Sequence, residues 1–188
     1  STAMSIEGLV AGTVAQIEAS HRAREQALGR SRALVRQCAN AIRAVHRREF
    51  ASAAAQLAEA ADTARALRAG LAGHAGLLYA GYTQDALKEY AEAALVYAFL
   101  HGGEPPDAAT LQVEPAPYLN GLAEAASELR RAILDGLRRG ETARAEELLA
   151  VMDDVYSLLV TVDYPDAVTG GLRRTTDALR VVLERTRG

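Results

Sequence analysis

The residues best suited to chemistry sit in a helix-forming stretch from Asp85 to His101, D-A-L-K-E-Y-A-E-A-A-L-V-Y-A-F-L-H. At about 100° per residue, Asp85, Glu89 and Glu92 recur along one stripe, which Val96 and Phe99 continue. Carboxylates in line with large apolar residues face something other than bulk water, because burying a lone carboxylate is costly without a cation or a donor. Glu89-x-x-Glu92 therefore reads as half of a divalent-metal site. The plainer alternative is a charged helix end beside a bundle core. Further along, Glu124, Glu128, Arg131 and Asp135 share a narrow sector opposite the apolar stripe of Leu122, Ala126, Leu129, Ile133 and Leu137. Taken by itself, that sector is a solvated face. Glu59 and Asp62 form another acidic pair, but Arg65 and Arg68 one turn away make it ordinary surface pairing.

The elements that must position these groups are helices. Every proline lies at 105, 106, 115, 117 or 165, so nothing before Glu104 is interrupted. Ser5 to Arg48 reads as one very long helix, with Leu9, Val14, Ile17, Leu28, Leu34, Val35, Cys38, Ile42 and Val45 at three- and four-residue steps. At 1.5 Å per residue it spans roughly 60 Å, more than a compact domain of this size is wide. It must bend, with Gly29 its weakest position, or project and pack against another subunit. Arg32, Arg36 and Arg43 run along one side of it and are candidate nucleic-acid contacts. A second helix covers about Phe50 to Ala69, and the acidic helix ends at a glycine cap, His101-Gly102-Gly103. Gly102 to Pro117 reads as a loop. Helices follow at about Tyr118 to Arg139, Thr142 to Val162 and Val168 to Arg185, with a turn at Asp163-Tyr164-Pro165-Asp166. The expectation is an all-α, single-domain helical bundle of six or seven helices over residues 4–188, with Ser1, Thr2 and Ala3 a cloning remnant.

Composition bounds what the bundle can do. The chain has 188 residues, 49% hydrophobic but only 5% aromatic, so Ala, Leu and Val must fill the core. Net charge is −3, so a polyanion would have to be met by a local basic patch. Lys88 is the sole lysine; all other permanent side-chain cations are arginines, whose planar forks suit phosphate. One cysteine, Cys38, precludes an intramolecular disulfide and fits a reducing cytoplasm. No apolar run is long enough to span a membrane. A di-iron carboxylate bundle needs Glu-x-x-His on two helices, and of His21, His46, His74 and His101 only His21, after Glu18, follows a glutamate at that spacing, one motif where two are required.

Several segments together resemble the translin/TRAX family. They are Arg24-Glu25; A-I-R-A-V-H-R-R-E-F from Ala41 to Phe50; E-Y-A-E-A from Glu89 to Ala93; P-Y-L-N-G-L-A-E-A-A-S-E-L-R-R from Pro117 to Arg131; D-Y-P-D-A-V from Asp163 to Val168; and L-R-R-T-T-D from Leu172 to Asp177. The resemblance implies a translin-like fold, hollow homo-oligomers with the octamer favoured, and binding of single-stranded RNA or single-stranded DNA. TRAX-like members are Mg²⁺-dependent endoribonucleases, whereas translin-like members bind nucleic acid and generally lack the complete acidic site. The acids of the TRAX-type E-Y-x-E-A and G-x-A-D-x-x-x-E motifs fall here on Glu89, Glu92, Glu124 and Glu128. Position 124 is Glu where the TRAX pattern has Asp.

With that resemblance, four carboxylates converge if the two acidic helices pack together. Hard oxygen donors without His or Cys suit Mg²⁺ or Mn²⁺, with Asp85 a further candidate ligand. Hydrolysis of a phosphodiester in RNA is the implied reaction, with Arg130 or Arg131 as phosphate-binding candidates. The rival reading is a non-catalytic translin-like binder whose carboxylates serve structural pairing. A helical oligomer with no nucleic-acid role is a third.

Overall fold

The computed structural model describes residues 5–188; Ser1, Thr2 and Ala3, read from the sequence as a cloning remnant, lie outside the described residues. The described residues form nine helices and no strand: α1 (Ile6–His46), α2 (Phe50–Gly70), α3 (Ala75–Leu78), α4 (Gly81–His101), α5 (Ala108–Leu111), α6 (Pro115–Arg138), α7 (Thr142–Leu159), α8 (Asp166–Thr169) and α9 (Leu172–Arg187). Six are long. The other three, of four residues each, raise the count above six or seven: α3 and α5 are single turns in the connections on either side of α4, and α8 spans the end of the Asp163–Asp166 turn and the first residues read as the last helix.

The long first helix forms as its sequence predicts. Ser5 caps it by accepting from the Gly8 amide at 3.0 Å, and Arg43 and His46 lie in its last turn, where cations complement the helix dipole. It runs unbroken through Gly29. No residue from Ser5 to Arg22 is buried; the first buried position is Ala27. The N-terminal half of α1 therefore projects beyond the bundle.

The core is built in two halves sharing a seam. Leu34, Cys38, Ala60, Leu67, Leu87 and Ala91 join α1, α2 and α4. Leu129, Ile133, Leu148, Met152, Leu179 and Leu183 join α6, α7 and α9. Val45, Ala53, Leu95, Val96 and Ala125 connect the halves. Helices α4 and α6 therefore lie back to back at the centre.

Three boundaries differ from those read in the sequence. The last helix starts at Leu172 instead of Val168, because Gly170 and Gly171 take left-handed backbone and separate it from α8. Helix α6 starts at Pro115, three residues before Tyr118, because the first turn of a helix has no obligatory amide donors and admits both Pro115 and Pro117. Helix α7 ends at Leu159, and the chain then passes through Pro165 into α8. The glycine cap after α4 is present, with Gly102 at φ 90° and its amide bonded to the Ala98 carbonyl at 3.0 Å.

Candidate metal centre

The site exists because α4 and α6 touch almost without side chains between them. A Cβ on Gly121 would lie 2.9 Å from the Lys88 carbonyl oxygen, 3.0 Å from the Ala91 Cβ and 3.1 Å from the Glu92 amide nitrogen. Only glycine permits this approach. Ala91, which touches that position, and Ala125, one turn along the same face of α6, are fully buried and keep the two backbones close.

One turn beyond Gly121, Glu124 faces the acidic stripe of α4. Glu89, Glu92 and Glu124 each offer a carboxylate oxygen, and the three oxygens lie within 4.8 Å of one another. Glu92 is buried at 8% exposure, while Glu89 and Glu124 are half-buried and open to solvent on one side. Burial, with the Glu89 and Glu124 carboxylates next to it, pushes the Glu92 carboxyl up to about 10. Glu89 is also raised, first by burial and then by Glu124, with Lys88 acting the other way. Burial and mutual repulsion together disfavour three bare carboxylates here, and a cation would relieve both. All three ligands are hard oxygens, a donor set that fits Mg²⁺ or Mn²⁺.

Lys88 supplies the cluster with its nearest positive charge. Its Nζ donates to Glu124 Oε1 at 3.2 Å and lies 3.8 Å from Glu89 Oε1. Burial would lower the Lys88 ammonium, but Glu124, Glu89 and Asp85 together outweigh it and hold the pKa above the ordinary lysine value.

Glu128 lies one turn further along α6 and has a different partner. The His46 Nε2 is 2.7 Å from Glu128 Oε1, and the imidazole is buried at 1% exposure. A carboxylate can only accept here, so Nε2 carries the hydrogen. This bond, opposed by burial and aided by charge from His46 and Arg131, holds Glu128 below the usual carboxylate range. The other ring nitrogen, Nδ1, is buried without a partner. Three of the four acids read from the sequence thus meet in one cluster, while the fourth is tied to a histidine on α1. Asp85 is exposed at the entrance, beside Lys88.

The arginines divide by position. Arg130 is half-buried with an unpartnered Nε, and with Arg131, Arg138 and Glu128 it lines an open cleft of about 500 Å³. Arg32, Arg36 and Arg43 are exposed along α1, and Arg43 bonds to Asn40. Cys38 is buried beneath α4, where burial, then Glu89 and Glu92, keep it a thiol.

No family model matches the sequence. The fold matches the crystal structure of AfC3PO with a TM-score of 0.86 and 29% identity over 95% of this chain and 93% of that one. The AfC3PO–duplex RNA complex matches at 0.82, with 29% identity over 95% and 92% of the two chains. These are C3PO proteins of the translin family. The chain is a translin/TRAX-like protein. Apo-NeC3PO shares the fold at a TM-score of 0.82 with 19% identity, covering 99% of this chain and 96% of its own. An uncharacterized protein of Methanocaldococcus jannaschii, MJ0175, is 29% identical over 170 residues, 88% of this chain and 73% of that protein. No described helix of this translin/TRAX-like chain is long and apolar enough to cross a membrane.

Two positions that shape the candidate site were not singled out by sequence reasoning. His46 lies 82 residues from Glu128, and Gly121 matters only once α4 and α6 are packed. Both fall inside segments that carry the family resemblance, which was the available signal.

Proposed function

We propose that the protein is a cytoplasmic, divalent-metal-dependent endoribonuclease that cleaves single-stranded RNA within a homo-oligomeric shell, an octamer being the favoured form. The observation that carries this reading is the three-carboxylate cluster beside a separately held, ionised Glu128. Glu89, Glu92 and Glu124 would hold Mg²⁺ or Mn²⁺, which supplies polarisation of the scissile phosphate and acidification of a water. Glu92 gives up its proton for such an ion, so ion uptake releases protons. Glu128, kept ionised by His46, is the group fitted to take a proton from an attacking water. Arg130 and Arg131 line the same cleft as Glu128 and would hold phosphates.

The solved complex of AfC3PO with duplex RNA supports RNA as the ligand class, so a duplex belongs beside a single strand in any assay. Single-stranded DNA is the second candidate. Assembly is supported by α1, where Ile6, Leu9, Val10, Val14 and Ile17 are 42–79% exposed along one stripe of the projecting half.

One observation favours the rival reading of a non-catalytic translin-like binder: Lys88 already gives the carboxylates a counter-charge without any ion. Cleavage of a labelled RNA with Mg²⁺ or Mn²⁺ separates the two. The nuclease reading expects cleavage that EDTA abolishes and that Glu89→Gln and Glu128→Gln lose while keeping RNA binding. Binding without metal-dependent cleavage by the wild type would make the protein a binder.

A further inference from the structure

Lys88 is the one lysine in the chain, and it stands where two sites meet. On one side its Nζ contacts Glu124 and approaches Glu89, two of the three clustered carboxylates. On the other it lines a cleft of about 610 Å³ together with Tyr79, Gln84, Asp85, Asn120 and Thr175. The side chain is 23% exposed, so it is neither locked in the core nor loose on the surface.

We propose that Lys88 is a movable cation of the catalytic site. It neutralises the carboxylates while they hold no ion, and it turns into the adjoining cleft to bind an RNA phosphate when a divalent ion takes its place. The argument rests on the metal-centre reading above. An ion among Glu89, Glu92 and Glu124 competes with Nζ for the same Glu124 carboxylate and repels the ammonium, and the cleft is the open space that Lys88 already lines. A lysine suits this exchange better than an arginine, because its charge is compact and rides on a flexible four-carbon stem. Asp85 at the cleft entrance lies close enough to influence the ammonium and would guide it outward.

The proposal predicts two effects of opposite sign from one substitution. Repulsion between an ammonium and a divalent ion roughly 5 Å apart in a solvated site is worth about a factor of ten in binding. Lys88→Gln should therefore bind Mn²⁺ about tenfold more tightly than the wild type in calorimetric titration without RNA. With Mn²⁺ saturating and a 2′-O-methyl RNA that cannot be cleaved, the same variant should bind RNA more weakly. Its affinity should also lose the salt dependence of about one phosphate contact. Lys88→Arg should keep the wild-type salt dependence, since it retains the charge. Unchanged or weaker Mn²⁺ binding by Lys88→Gln, or an unchanged salt dependence, would overturn the exchange and leave Lys88 a fixed partner of Glu124. A wild type that takes up no Mn²⁺ would instead remove the metal centre itself.

Discussion

Adding one methyl group at Gly121 should damage both the fold and the metal site. The Cβ of Gly121→Ala would meet the Lys88 carbonyl oxygen at 2.9 Å and the Glu92 amide nitrogen at 3.1 Å. These are backbone atoms of α4 and cannot swing aside. The two helices would have to separate by roughly half an ångström to restore van der Waals distance. Overpacking of this kind costs about 1–3 kcal/mol, and the better helix propensity of alanine returns up to about 1 kcal/mol. Because backbone meets backbone, the cost belongs at the upper end, for a net loss of about 1–2 kcal/mol. For a chain of this size that lowers Tm by about 2–8 °C. The same separation draws Glu124 away from Glu89 and Glu92, so the stabilisation gained on adding Mn²⁺ should shrink as well. Gly136→Ala on the same helix is the control, because its Cβ would meet nothing closer than 3.8 Å. It should be neutral or stabilising by up to about 1 kcal/mol. Thermal unfolding of the wild type and both variants at one protein concentration, with and without Mn²⁺, reads these effects. A Gly121→Ala protein as stable as the wild type, with an undiminished response to Mn²⁺, would refute the reasoning.

Other consequences follow from the same contacts. Because Glu92 and Glu89 are raised in the folded state, the native protein binds more protons than the unfolded chain above the ordinary carboxylate range. Metal-free stability is then full at acid pH and lost as pH rises toward the folded value. Metal-free Tm should therefore fall as pH rises from about 5 toward about 10, and Glu92→Gln should flatten that fall and abolish the rise in Tm on adding Mn²⁺. Glu128 has the opposite sign, contributing stability that is lost only as pH falls below the ordinary carboxylate value, so it does not blur that window. His46→Ala should cut cleavage by about 10–100-fold, as loss of a supporting partner does at metal sites. RNA affinity should hold, and His46→Gln, which keeps a donor, should recover part of the rate. Leu9→Glu with Ile17→Glu, both on the projecting half of α1, should lower the assembled mass in sedimentation while leaving helical circular dichroism intact.

Much of the fold was legible because helices punctuate themselves. The absence of proline before Glu104 let α1 be read as one uninterrupted helix, and the Gly102 cap marked the end of α4. The start of α6 was not legible, because a proline in a first turn reads in sequence like a proline in a loop. Glu89 and Glu92 stood out by spacing alone. Glu124 did not, since periodicity assigns a helix one buried face and α6 has two. Gly121 and Ala125 are small enough for α4 to pack on a second side of α6, away from α7 and α9, which turns an apparently solvated sector into an interface. The family resemblance supplied what single-helix periodicity could not. The bond between His46 and Glu128 joins α1 to α6 and has no local signature.

The central claim is that Glu89, Glu92 and Glu124 form a divalent-ion site, and anomalous scattering from crystals soaked in Mn²⁺ tests it most directly. The account predicts a peak among the three carboxylates, lost in Glu92→Gln crystals treated alike. A wild-type crystal saturated with Mn²⁺ that shows no peak there, with Lys88 still bonded to Glu124, would contradict it.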